Sequence, residues 1–364
     1  MNINQSTMGS WVKTRVLQDQ FLKIRQSYTC DMDCWVKTRV LGRERYGTVT
    51  LAVFHFPEDA LDDDFPMIAV KSADFDRSSS LQKEAWILQR LRGCPGIVRC
   101  FGGDVCIEEL DGKIMYNLLL EFAPGGSLQD LIGNNGGTLP ELDVRRYTRM
   151  ILEGLRYVHR KGYVHCDIKP SNILVFSSRD DQNYVKIADF GSAKRRDGQL
   201  NARLGSLLYK SPESVLYGLN EAPMDIWSLG CTIVKMITGK SVWQMNKFKN
   251  AQELRREIAI GEELPEIPEN MSAQGKDFLK RCLVRDPRFR WSADMLLNHP
   301  FLVEESEDSP LIFVPSDEDD RWNSVQSAVG DYPFYVKLMK MLSKSKALEL
   351  GWREAEMIDY LFAY

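Results

Sequence analysis

The feature that most limits what this chain can become is one change of periodicity along it. From Trp35 to Ala73 the apolar positions come in short β-branched and aromatic runs, TVTLAVFHF and MIAVKSA, separated by the acidic stretch PEDALDDDF. That pattern predicts a small antiparallel sheet. Leu81 to Leu91 predicts one helix, and Val98 to Glu121 predicts further strands. After Pro124-Gly125-Gly126 the apolar spacing turns helical and stays so through most of the remainder. A sheet-forming part followed by a longer helical part predicts an α+β protein: one domain over 35–302, with lobes at about 35–120 and about 124–302. A chain of 364 residues holds enough apolar material for both.

The flanks read differently. WVKTRVL occurs at Trp11–Leu17 and again at Trp35–Leu41, and only the second copy runs on into a glycine-containing stretch. Two copies do not make a solenoid. The simplest account of the extension 1–34 is duplicated coding sequence, or a natural start near Met32. The other account is regulatory, with the first copy competing for the second copy's place in the sheet. Residues 303–364 form an acidic linker and a tail. Val303 to Asp320 holds eight acidic side chains and no basic one, which predicts an exposed linker. From Phe334 to Tyr360 the sequence, with YVKLMKMLSK and WREAEMIDYL, predicts an amphipathic helical tail that packs on the domain or, as the alternative, docks on a partner.

Composition narrows the classes of partner. A formal net charge of −4 provides no basic excess for a nucleic acid. The eight cysteines are dispersed without a C-x-x-C pair, and the four histidines are too few to complete a zinc set. Reduced thiols in an intracellular protein are expected. No apolar run approaches the roughly 20 residues of a membrane span, and MNINQSTMGSWVKTR lacks the apolar core of a secretory signal. The expectation is a monomer in the cytoplasm, with the nucleus as a second location and no nucleic-acid or membrane partner.

Residues able to do chemistry follow one another in a definite order. VLGRERYGTV carries Gly42 and Gly47, Ile68-Ala69-Val70-Lys71 places a lysine in a β-run, and Glu84 lies in LQKEAWILQRL. Leu118-Leu119-Leu120-Glu121-Phe122-Ala123 leads from an apolar strand into Pro124-Gly125-Gly126. YVHCDIKPSNIL brings Asp167, Lys169 and Asn172 together, and Val185 to Gly191 ends on Asp189-Phe190-Gly191. Each piece alone is commonplace: paired glycines mark plain turns, and lysines and helical glutamates populate any surface. In this order they match what phosphoryl transfer needs. Those needs are a lid over phosphates, a cation held on them, ligands for a metal, and a base beside the attacking hydroxyl.

The ordered set resembles the protein kinase family, and Asp167-Ile168-Lys169-Pro170-Ser171-Asn172 resembles its serine/threonine form. The resemblance implies a bilobal fold, with a small antiparallel sheet lobe carrying one regulatory helix and a large, mainly helical lobe. It implies ATP as cosubstrate with Mg2+, or Mn2+ in its place. Asp167 would be the base, Lys169 would neutralise the transferring group, and Lys71 would hold phosphate in an ion pair with Glu84. Asn172 and Asp189 would bind the metal. Nucleotide contacts would come from Leu41, Gly42, Gly47, Val49, Ala69, Lys71, Leu120, Glu121, Ala123 and Leu174. Among these, Leu120 would stand behind the adenine, and the backbone of Glu121 and Ala123 would bond the base. Asp225 in MDIWSLGC would orient the catalytic loop, and Arg290 in RDPRFRWSA would pair with Glu213 in GSLLYKSPE. Ser206 of that segment would approach Asp167. VHCDIKPSN, DFGSAK and GSLLYKSPE are similar to plant mitogen-activated protein kinase kinase kinases of the single-domain type. That likeness implies mitogen-activated protein kinase kinases as substrates, in stress or hormone signalling.

Three departures qualify the likeness. Glu44 stands where the glycine loop has its middle glycine, so a carboxylate faces the phosphate position and weakened ATP affinity follows. This motivates the alternative of a catalytically weak pseudokinase or scaffold. Cys166 replaces the arginine that binds an activation-loop phosphate; its sulfur, set beside a catalytic carboxylate, reads as structural. Ser192 is the one hydroxyl residue from Ser192 to Leu204, and Ser211 replaces alanine in the A-P-E motif. A large phosphate switch on that loop is therefore not expected.

Overall fold

The protein is described here by a computed structural model covering residues 35–43, 47–54, 67–107, 114–177, 182–196, 205–261 and 263–303. The N-terminal extension, the acidic linker and tail from Glu304 onward, Glu44, and 197–204 of the expected activation loop lie outside the described residues. The described residues divide into two compact units, one containing those of 35–86 and 99–122, the other those of 87–98 and 123–303.

The first unit is built on a five-stranded antiparallel sheet in the order β1-β2-β3-β5-β4. The strands are β1 (Trp35–Arg43), β2 (Thr48–Phe54), β3 (Met67–Asp74), β4 (Cys100–Ile107) and β5 (Ile114–Glu121). Helix α1 (Ser79–Arg90) follows β3. Side chains alternate along each strand, and here the alternation separates packing from chemistry. Ile68 and Val70 enter an apolar cluster with Trp35, Ala52, Phe101 and Leu119. Ala69 and Lys71, between and after them, project from the other face. Val49 stands opposite Lys71, and Leu120 stands opposite Ala69. Four of the residues expected around the nucleotide therefore share one face of the sheet.

The second unit is mainly helical. Its helices are α2 (Leu128–Asn134), α3 (Glu141–Arg160), α4 (Pro212–Tyr217), α5 (Ala222–Thr238), α6 (Ala251–Ile260), α7 (Ala273–Cys282) and α8 (Ala293–Leu297). The start of α2 follows from sequence: the Ser127 hydroxyl accepts from the Asp130 N–H, and the Asp130 side chain accepts from the Ser127 N–H. α3 buries one stripe, Val144, Tyr147, Ile151, Leu155 and Val158, at helical spacing. α5 is buried almost all round, from Met224 to Ile237, and so forms the centre of this unit. Asp225 is fully buried in its first turn. A carboxylate in that position has to be satisfied by hydrogen bonds.

Short antiparallel pairs complete this unit: β6 (Tyr163–Val164) with β9 (Lys194–Arg195), and β7 (Ile173–Ser177) with β8 (Asn183–Ile187). Residues after α1 join them. The Val98 N–H donates to the Ile187 carbonyl and the Ile187 N–H donates to the Gly96 carbonyl, both at 2.9 Å. Sequence spacing put Val98 among the strands of the first lobe; its backbone bonds place it with β8 instead. Cys94, Cys231 and Cys282 are free thiols. Burial pushes Cys231 and Cys282 well above the usual thiol range, which keeps both protonated and unreactive. Among the described residues, no helix is long and apolar enough to cross a membrane.

Candidate active site

The candidate residues fall in both units. In the first, the Lys71 ammonium lies 3.2 and 3.3 Å from the two Glu84 carboxylate oxygens, with both side chains nearly inaccessible. Such a pair fixes the end of a long, flexible side chain by charge, and removing either partner leaves an uncompensated buried charge. Across the sheet Gly42 pairs with Val49 and Val49 with Lys71, which aligns these three positions in one row. Leu41 is partly exposed at an irregularity in β1. The two loop glycines differ in what they require. A Cβ at Gly42 would meet open space, whereas one at Gly47 would overlap the Ser72 backbone carbonyl. Gly47 is thus demanded by close backbone approach.

Leu120 is 5% exposed, beside Glu121. The backbone expected to bond the base is partly engaged already. The Glu121 N–H donates to the Arg99 carbonyl, and the Ala123 carbonyl accepts from the Gly126 N–H. Beyond Ala123 the chain is tied to β7. The Gly125 N–H donates to the Val175 carbonyl and the Val175 N–H to the Gly126 carbonyl, which sets Leu174 beside this connection, bridged to Ser127.

In the second unit Asp167 is the centre of a network. Its Oδ2 accepts from the Lys169 ammonium at 2.7 Å and from Asn172 Nδ2 at 3.2 Å. Its Oδ1 accepts from the Ser206 N–H at 2.8 Å. The Lys169 ammonium also donates to the Ser206 hydroxyl at 2.9 Å. Ser206 comes so close because of the residue before it. Gly205 has φ +81°, and a Cβ there would overlap the Cys166 carbonyl oxygen. Any other residue at 205 is both strained and blocked.

The loop carrying Asp167 is held from the central helix. Asp225 accepts from the His165 N–H and the Cys166 N–H at 2.9 Å each, and from His159 Nε2 at 2.9 Å. Cys166 itself takes φ +69°, uncommon for a residue with a side chain. Its sulfur, read from sequence as lying beside the catalytic carboxylate, belongs instead to an apolar cluster with Val164 and Met224, and Sγ approaches the Val164 carbonyl at 3.5 Å. Two groups near this loop are shifted chiefly by burial. Burial first, then Cys231 and Asp167, pushes the Tyr209 phenol up to about 12. Burial and Arg255 lower the Lys210 ammonium against the opposing pull of Asp167.

The donor set fits a hard divalent cation. Both Asn172 amide bonds run from Nδ2, to the Asp167 carbonyl and carboxylate, so Oδ1 is left as an oxygen ligand. The Asn172 carbonyl accepts from the Ala188 N–H at 2.9 Å, which fixes the start of Asp189-Phe190-Gly191 next to Asn172. Asp189 has φ +63°, while Phe190 is fully buried edge-on to His165, ring centroids 4.7 Å apart. His165 Nε2 lies 3.0 Å from the Ala188 carbonyl, a link the motif order did not announce.

Ser211, the departure from A-P-E, is fully buried before α4, and its hydroxyl has no hydrogen-bond partner among the described residues. Ser211→Ala is therefore expected to leave stability unchanged or raise it by about 1 kcal/mol. A fall in the urea midpoint equivalent to more than that would show that the hydroxyl is satisfied.

A model of the protein kinase domain matches residues 35–302. Mitogen-activated protein kinase kinase kinase 20 of Arabidopsis thaliana is 46% identical over 253 residues, covering 67% of this chain and 72% of that protein. Mitogen-activated protein kinase kinase kinases 17 and 18 of the same plant are 38% identical over 275 residues and 37% identical over 301. This chain covers 70% and 85% of their lengths.

Proposed function

Because this chain belongs to the protein kinase family and is a serine/threonine protein kinase, we propose that it acts on mitogen-activated protein kinase kinases, transferring the ATP γ-phosphoryl group to serine or threonine hydroxyls. The observation that carries the reading is the network in which Lys169 bridges Asp167 and Ser206. Asp167 takes the proton of the substrate hydroxyl, and Lys169, held 2.7 Å from it, offsets charge on the group in transit. Lys71, fixed by Glu84, holds nucleotide phosphate. Asn172 and Asp189 would hold Mg2+, which would supply charge neutralisation at the phosphates. The protein works as a monomer in the cytoplasm and nucleus, in stress or hormone signalling. With Cys166 where a phosphate-sensing arginine would stand, control falls to abundance, partners or the tail.

The test is Mg-ATP phosphotransfer by the full chain to catalytically dead mitogen-activated protein kinase kinases and to a generic protein. Transfer to the generic protein alone would overturn the substrate assignment. Glu44 supports a second reading, a scaffold that binds nucleotide poorly. Glu44→Gly is expected to tighten nucleotide binding, read by titration calorimetry, by removing a carboxylate from the phosphate approach. Unchanged affinity would mean that this side chain points away.

A further inference from the structure

Among the described residues β1 is an edge strand, paired with β2 alone. What it contributes to the sheet lies almost wholly within WVKTRVL. Trp35, 7% exposed, is its anchor in the apolar cluster. The pairs Trp35 with Phe54, Val36 with Val53, Lys37 with Ala52, Arg39 with Leu51 and Val40 with Thr50 all fall inside the repeat. So do the irregularity at Thr38 and its side-chain hydrogen bond, in which Oγ1 donates to the Leu51 carbonyl at 3.1 Å. Residues 11–17 carry the same seven side chains in the same order. Seated on β2 they would make the same contacts, residue for residue.

The two remaining positions of β1 tolerate the change as well. Gln18 follows the first copy where Gly42 follows the second. A Cβ at Gly42 meets nothing within 4 Å, and its φ is not in the left-handed region. Arg43 is exposed, so Asp19 fits there without burying a charge. We propose that the β1 position of the sheet is a docking site for either copy of WVKTRVL, residues 11–17 exchanging with residues 35–41. When the first copy is seated, the glycine loop leaves its place between β1 and β2.

Loop closure sets the balance. With the second copy seated, residues 44–47 connect it to β2. With the first copy seated, residues 20–47 do so, a connection about seven times as long. The (3/2) ln n dependence then disfavours the exchanged form by roughly ten- to twentyfold. The exchanged form is a minor species of the wild-type chain, and damage to the second copy brings it forward.

Three variants of the full chain test this. Trp11→Ala is expected to leave the melting temperature unchanged, because the second copy is seated. Trp11→Ala with Trp35→Ala removes the anchor from both copies and should lower it by on the order of 10 °C. Trp35→Ala alone should lose less than half as much. In that variant, hydrogen exchange read by mass spectrometry should show protection moved from 35–41 to 11–17. A single Trp35→Ala variant that melts as low as the double, fails to fold while Trp11→Ala folds, or keeps its protection at 35–41 overturns the exchange.

Discussion

Asp167→Asn is expected to lower the rate of phosphotransfer by roughly 100- to 10,000-fold while the protein stays folded. The substitution preserves size and leaves an oxygen for the Ser206 N–H. On its other side an amide NH2 would face the Lys169 ammonium and the Asn172 amide, both of them donors, where the wild type has an acceptor. Three losses coincide: the base, its negative charge, and the anchor that holds Lys169 near the transferring group. Initial rates at saturating ATP, with melting temperature as the control for folding, measure the effect. Equal rates for variant and wild type would remove Asp167 from the chemistry, and equal rates at background would leave a protein that only binds.

The largest loss of stability is expected from Arg290→Ala. The guanidinium is fully buried, 2.7 and 3.1 Å from the Glu213 carboxylate oxygens. It also donates to the carbonyls of Pro223, Val284 and Arg285, and lies over the Trp227 ring at 5.2 Å. Its removal orphans a buried carboxylate and three carbonyls together, and opens a space beside the largest side chain of α5. Breaking a buried pair of this kind costs about 3 to 5 kcal/mol. Urea unfolding with an unchanged slope should report that loss as a lower midpoint. A change below about 1 kcal/mol would mean that Glu213 finds another partner or that water reaches it.

Why some of this could be read from sequence and some could not follows from how far apart the partners lie in the chain. Asp167, Lys169 and Asn172 are near neighbours, so their order alone brings them together. Lys71 and Glu84 were legible because a β-run and a helical run place each on a defined face. Ser206 was legible as a position but not as a geometry. Its contact with Asp167 depends on Gly205 lying against the Cys166 carbonyl, a steric fact with no signature in periodicity. His159 sits on α3 as an ordinary polar residue, and its bond to Asp225, 66 residues away, leaves no mark on local spacing. The attachment of Gly96 and Val98 to β8 was missed for a related reason. A short apolar run reads as a strand whichever sheet it joins.

Asp225 grips the loop by two consecutive main-chain N–H groups, leaving the side chain at 166 out of the bargain. In evolutionary terms this separates the demand placed on the backbone at 166 from the demand placed on its side chain. The two main-chain bonds to Asp225 hold the loop without drawing on the side chain at 166, whose own demand is to fill the buried space beside Val164 and Met224. Change at 205 or 225 would unseat the loop itself, whereas change at 166 meets only the packing around it.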